Sequence, residues 1–189
     1  GVGVVLTQNL TDPRLAPQGL DLLEQGLDAG SVVERVVAGA ENVAHRQLAV
    51  IDREGRTAHY TGAKAIGTNA VAEGSDCVAA GNLLANLDVP KAMTASFEAN
   101  PNLHLAERLL QALAGGAAAG GEVGPVKSAA LLVVDRQAWP LVDLRVDRHE
   151  APGSELESLW REYEPQMDDY VTRALNPDQA PSFRVPRDL

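Results

Sequence analysis

Gly81-Asn82 closes the apolar run Cys77-Val78-Ala79-Ala80. An asparagine placed there can turn its carboxamide toward a substrate carbonyl, with its backbone N–H as a second donor. That is the chemistry of oxyanion stabilisation in acyl transfer. The same dipeptide also makes an ordinary turn. Other polar residues interrupt apolar runs: Thr7, Gln8 and Asn9 after Val4-Val5-Leu6, Tyr60 ahead of Thr61-Gly62, and Ser128 ahead of Ala129-Ala130-Leu131. Asp143 and Arg145 alternate with Val142, Leu144 and Val146. Buried polar groups cost free energy unless paired, so each position implies either a satisfied network or a ligand. Arg145 between Asp143 and Asp147 suits an ion-pair ladder as well as an anion.

A nucleophile is harder to find. Thr7 is the one hydroxyl of the first apolar run, but no free amine or base adjoins it in sequence. Cys77, the single cysteine, lies in a strand-like run and reads as a small buried hydrophobe. His45, His59, His104 and His149 show no i,i+4 pairing, so no metal site is expected. His104 opens a helix, and His149 follows a charged strand where Asp147 is a natural partner. No GxGxxG, GxxxxGK[ST] or GxSxG motif is present, and no cofactor is expected.

These residues must be positioned by alternating strands and helices. Gly1–Gln8 reads as a strand, and a helix after Pro17 and Gly19 buries Leu20, Leu22, Leu23 and Leu27. Ser31 is placed to cap the next helix, with Val32, Val33, Val36 and Val37 on one face. Residues 46–52 and 57–62 form a hairpin across Arg53-Glu54-Gly55-Arg56. A short strand covers Cys77–Ala80. Helices follow from Pro90 and from Asn102, and Gly115–Gly121 reads as a helix end plus a flexible loop. Residues 127–135 and 141–147 make a second hairpin, and a helix starts near Ser154. The tail from Asn176, with Pro177, Pro181 and Pro186, reads as irregular chain over a neighbouring surface.

Hairpins imply antiparallel sheets, and the helical blocks must cover their outer faces. The expected fold is α+β: a four-layer αββα sandwich over residues 1–150, with a helical extension and tail over 151–189.

The chain has 189 residues, 45% hydrophobic and 22% charged, enough for one sizeable core. Its net charge is −10, with 26 acidic against 16 basic residues, which argues against nucleic acid as a partner. No apolar run reaches the roughly 20 residues of a membrane span, and no signal peptide is visible. The expectation is a cytoplasmic protein that acts on a small molecule.

The run Gly1-Val-Gly-Val-Val-Leu-Thr7-Gln8-Asn9-Leu-Thr11-Asp-Pro13, followed by Gly19-Leu-Asp-Leu-Leu, resembles the opening of the bacterial family DUF1028. Arg46-Gln47-Leu48, Tyr60-Thr61-Gly62, Gly81-Asn82-Leu83-Leu84, Ser128–Val134 and Val142–Asp147 continue the resemblance to about His149, and Gln166–Val171 resembles an extension of one branch. The resemblance implies the N-terminal-nucleophile (Ntn) hydrolase superfamily, an αββα sandwich, and amide-type hydrolysis by a Thr, Ser or Cys at a chain's own N-terminus. There the α-amino group, with a pKa near 8, serves as base. It also implies about 35–40 further residues ahead of Gly1, enough for two strands. Gly1 has no side chain, so the nucleophile is expected in an upstream segment or a companion chain.

On this resemblance Gly81 and Asn82 are the oxyanion candidates and Thr7 the weakest catalytic one. Gln8, Asn9, Tyr60, Ser128, Asp143 and Arg145 are candidate substrate contacts. The expected activity is that of an amidohydrolase on a small amide, ureide or peptide-like bond. The alternative is a non-catalytic small-molecule-binding or scaffold subunit on the same fold. An apolar first strand with an open edge invites pairing, so a homo-oligomer or two-chain state is expected.

Overall fold

The structure is a computed structural model and describes residues 1–181. Of the tail from Asn176, expected to be irregular, Pro177–Gln179 forms a short 3-10 turn, and residues 182–189 lie outside the described residues. Two compact units are present, Gly1–Val126 and a second that begins at Lys127. The last hairpin takes its helical cover from residues that follow it, within the second unit.

In the first unit, β1 (Gly3–Gln8), β2 (Gln47–Asp52) and β3 (Thr57–Thr61) form an antiparallel sheet in the order β1-β2-β3. Helices α1 (Leu15–Glu24) and α2 (Ala29–Gly39) cover one face. That layer holds a core of Val5, Leu15, Leu23, Val32, Val36, Leu48 and Val50. The apolar positions of both helices recur at 3.6-residue spacing, which turns one stripe of each toward the sheet. Asp28, and not the expected Ser31, caps α2. Its carboxylate accepts from the Ser31 N–H at 2.9 Å. Asp52, at the end of β2, is buried and ties three segments together. It accepts from the N–H groups of Ala29, Glu54 and Arg56 and from the Arg56 guanidinium at 2.7 Å.

The opposite face of β2 meets a second antiparallel sheet, β4 (Ala70–Gly74) with β5 (Cys77–Gly81). The sequence reading found only the β5 half of this hairpin, since Ala70-Val-Ala-Glu-Gly has weak strand character. Its turn requires a left-handed Asp76, a role short acidic residues tolerate. Helices α3 (Val89–Glu98) and α4 (Leu105–Ala118) pack together, with α3 lying on β4 and β5. The first unit is therefore layered helix, sheet, sheet, helix.

Helix α4 runs through Gly115 and Gly116 and ends at Ala118, within the stretch expected to hold a helix end and a loop. The two glycines are the reason α3 and α4 can approach. A Cβ on Gly115 would lie 2.1 Å from Ser96 Oγ, and one on Gly116 would lie 2.6 Å from Met93 Cγ. Close packing here outweighs the low helix propensity of glycine.

The second unit pairs β6 (Ala129–Val134) with β7 (Pro140–Val146) and packs that hairpin against α5 (Pro152–Tyr163), followed by α6 (Met167–Leu175). Leu131, Val133, Val142 and Val146 are buried, as are Leu156 and Trp160 of α5. The chain is thus α+β with antiparallel sheets. Among the described residues, no helix is long and apolar enough to cross a membrane.

Candidate functional site

Register decides which side chains meet. Gln8, Gln47 and Thr61 are direct cross-strand partners in β1, β2 and β3. The adjacent row is Thr7, Leu48 and Tyr60. Neighbouring rows point to opposite faces of a sheet. Leu48 lies in the helix-covered core with Tyr60 packed against it, so Gln8, Gln47 and Thr61 face the second sheet.

Gln47 is the centre of that row and is 0% exposed. Its Oε1 accepts from Gln8 Nε2 at 2.6 Å. Its Nε2 donates to Thr61 Oγ1 at 3.0 Å and to the carbonyl of Gly81 at 3.2 Å. One buried amide thus joins all three strands of the first sheet to the end of β5 in the second. Because a trans peptide is planar, holding the Gly81 carbonyl toward Gln47 turns the Asn82 N–H the other way. Asn82 is half-buried, and no hydrogen bond within the described residues occupies its carboxamide.

The backbone around this network departs from ordinary geometry. Asn9, Leu10 and Leu83 have φ values of 60°, 46° and 53°. Asparagine tolerates the left-handed region, whereas a leucine there is an outlier. The Arg46 guanidinium donates to the Leu10 carbonyl. Leu83 is held through its N–H to the Ile66 carbonyl at 3.1 Å, and Leu84 through its N–H to Thr68 at 2.9 Å.

The site residues expected from the sequence divide clearly. Gln8 and Gly81 are brought together through Gln47, with Asn82 beside them. Asn9 is a structural staple. It is buried, donates through Nδ2 to the His45 carbonyl at 2.7 Å, and accepts from the Ile66 N–H at 3.1 Å. Both ends of that side chain are thereby tied to backbone groups. Tyr60 packs on the helical side of the sheet. Thr7 shares that side, and its buried Oγ1 has no hydrogen-bond partner. A hydroxyl without a base is not activated.

Ser128, Asp143 and Arg145 belong to the second unit. Ser128 and Asp143 are exposed, and the Arg145 guanidinium pairs with Asp147 at 2.8 Å. The ion-pair reading of Arg145 therefore holds, and Asp147 is not the partner of His149. His149 instead accepts from the Ala151 N–H at 3.1 Å. His104 caps α4, accepting from the Ala106 N–H at 3.2 Å. Cys77 is half-buried, and burial with the neighbouring Glu98 carboxylate pushes its thiol up, away from the reactive thiolate. Among the described residues, no group of three or more His, Cys, Asp or Glu is arranged to hold a metal.

Gln47 and Thr61 were not chosen as site residues from the sequence. The signal was available: counting back from the Arg53–Arg56 turn sets Gln47 opposite Thr61, and a strand apolar on both faces leaves Gln47 no solvent. A concavity of about 230 Å³ lies in the second unit between Trp139, Pro140, Leu141, Tyr163 and Tyr170. The Tyr163 hydroxyl there donates to the Leu141 carbonyl at 2.9 Å, and no nucleophile or carboxylate lines the cleft.

The turn after β1 is braced by Asp12, whose carboxylate takes the Arg14 N–H and a bidentate contact from its guanidinium at 2.9 and 2.7 Å. Arg14 holds the Asp12 carboxyl down at about 2, below its ordinary 3.8. A depressed carboxyl contributes stability that is complete above the unfolded-state value and is lost as pH falls toward the folded one. The stability advantage of the native chain over Asp12→Asn is expected to shrink between about pH 4 and pH 2. Urea midpoints measured at several pH values check this, and a gap that widens on acidification contradicts it.

The family model for the family of unknown function DUF1028 matches residues 1–156. No curated protein matches the chain. Among solved structures, it is similar to the crystal structure of protein SPO2555 from Silicibacter pomeroyi, also described as DUF1028. The two agree with a TM-score of 0.81 at 30% identity, over 89% of this chain and 74% of that one.

Proposed function

The chain belongs to the DUF1028 family, and from its site we propose that it is a hydrolase of a small amide, ureide or peptide-like bond. The observation that carries this reading is the braced Gly81-Asn82 peptide. A buried glutamine fixes its plane while the Asn82 carboxamide stays unbonded. A fixed N–H and a free carboxamide on one residue are two donors for the negative charge that develops on a carbonyl oxygen under attack. Prior placement matters because donors that need not reorganise during the reaction stabilise the transition state most. Gln8 supplies a further amide at the same end of the sheets.

Thr7 lies across the sheet from these donors, and the Cys77 thiol is held in its protonated form. The nucleophile of this reading is a Thr, Ser or Cys at the start of a polypeptide segment outside this chain, activated by its own α-amino group. It attacks the amide carbon, the amine leaves with a proton, and water releases the acyl group.

The test is an intact-mass measurement of the protein isolated from its source cells, joined to an assay of ammonia or amine release from small amides and ureides. The expected result is a companion segment beginning with Thr, Ser or Cys, and turnover. Binding without turnover by that assembly would favour a non-catalytic binding subunit instead.

A further inference from the structure

Three exposed apolar residues lie on loops that hydrogen bonds link to the braced peptide, each on a different loop. Leu10 is 54% exposed, Ile66 42% and Leu83 41%. Their loops are clipped together. The Ile66 N–H donates to Asn9 Oδ1, next to Leu10, and the Ile66 carbonyl accepts from the Leu83 N–H, next to Asn82. The Leu83 side chain lies over Gly67, and a Cβ there would meet its Cδ2 at 3.0 Å. Val123, also exposed, donates its N–H to the Leu83 carbonyl at 2.7 Å. The result is a fixed apolar rim beside Asn82.

Stability does not account for the two leucines. Both occupy the left-handed region, where asparagine or glycine would be relaxed, and neither gains burial in return. Backbone strain of this kind persists where surrounding structure enforces it, and it clusters at ligand sites. The Arg46 guanidinium ties the Leu10 loop through that residue's carbonyl.

We infer that Leu10, Ile66 and Leu83 form a substrate shelf, and that the amide taken by this site carries an aliphatic group. The inference rests on the amide-binding reading above and adds the class of substrate. An aliphatic chain laid on the rim leaves its carboxamide next to Asn82, so the apolar part supplies affinity and the polar part supplies orientation.

Isothermal titration calorimetry with acetamide, propionamide, butyramide, pentanamide and hexanamide as probes tests it. In the native protein the dissociation constant is expected to fall about three- to fourfold per added methylene, the usual gain for burying one. Leu83→Asn keeps the left-handed backbone, so its urea midpoint is expected to hold or rise while the chain-length gain flattens. Ile66→Thr is a second variant that flattens the gain without touching a strained residue. Equal affinity along the native series, or an undiminished gain in both variants, overturns the shelf even where acetamide is bound and hydrolysed. Absence of binding by every amide overturns the underlying amide reading and the shelf with it. Chain-length-dependent binding without turnover supports the shelf and counts only against hydrolysis.

Discussion

Gln47→Leu is expected to destabilise the first unit by about 2–4 kcal/mol, the range for leaving two or three buried polar groups without partners. Leucine matches glutamine closely in volume, so no cavity contributes. What changes is the bonding: Gln8 Nε2, Thr61 Oγ1 and the Gly81 carbonyl each lose the same partner. Gln8 lies at the margin and can turn to water, whereas the Gly81 carbonyl faces Gln47 between the sheets. Gln8→Ala is accordingly expected to cost less than about 1.5 kcal/mol, near one ordinary hydrogen bond. Urea unfolding followed by far-ultraviolet circular dichroism reports both. Equal midpoints for Gln47→Leu and the native chain would show that the inter-sheet amide contributes nothing.

The network also explains why part of the site was legible in the sequence. Gln8, Gly81 and Asn82 stand out as polar or small residues at the ends of apolar strands, and strand ends are where sheets stop covering one another. Face could not be read the same way for β1 and β3. Thr7 and Gln8 are adjacent, so one must point away, and only the pairing of Leu48 with both Thr7 and Tyr60 fixes which. That register places Tyr60 against the helices and leaves Thr7 without a base. The backbone ties of Asn9 could not be read from the sequence for a different reason. Its carboxamide is occupied by backbone groups 36 and 57 residues away in sequence, a long-range arrangement that no local pattern carries.

The helices and hairpins were easier. Leu23, Val32, Val33 and Val36 follow a helical period, and residues 47–52 with 57–61 flank an evident turn. The missed β4 and the continuation of α4 through Gly115 share one cause. In both, tertiary packing overrides weak local propensity: α3 lies across Ala70–Gly74, and Ser96 and Met93 fill the space that a side chain at Gly115 or Gly116 would take.

The central claim is that Asn82 stabilises charge on a substrate carbonyl. The measurement that tests it most directly is amide turnover by the assembled protein carrying Asn82→Ala, with urea unfolding run beside it. Losing one preorganised donor is expected to lower kcat by about 10²–10³-fold, the effect of deleting a single oxyanion donor elsewhere. KM should change little, because that contact strengthens only as charge develops. The urea midpoint should stay where it is, since no hydrogen bond within the described residues depends on the Asn82 carboxamide. An Asn82→Ala protein that turns over amides at the native rate contradicts the account.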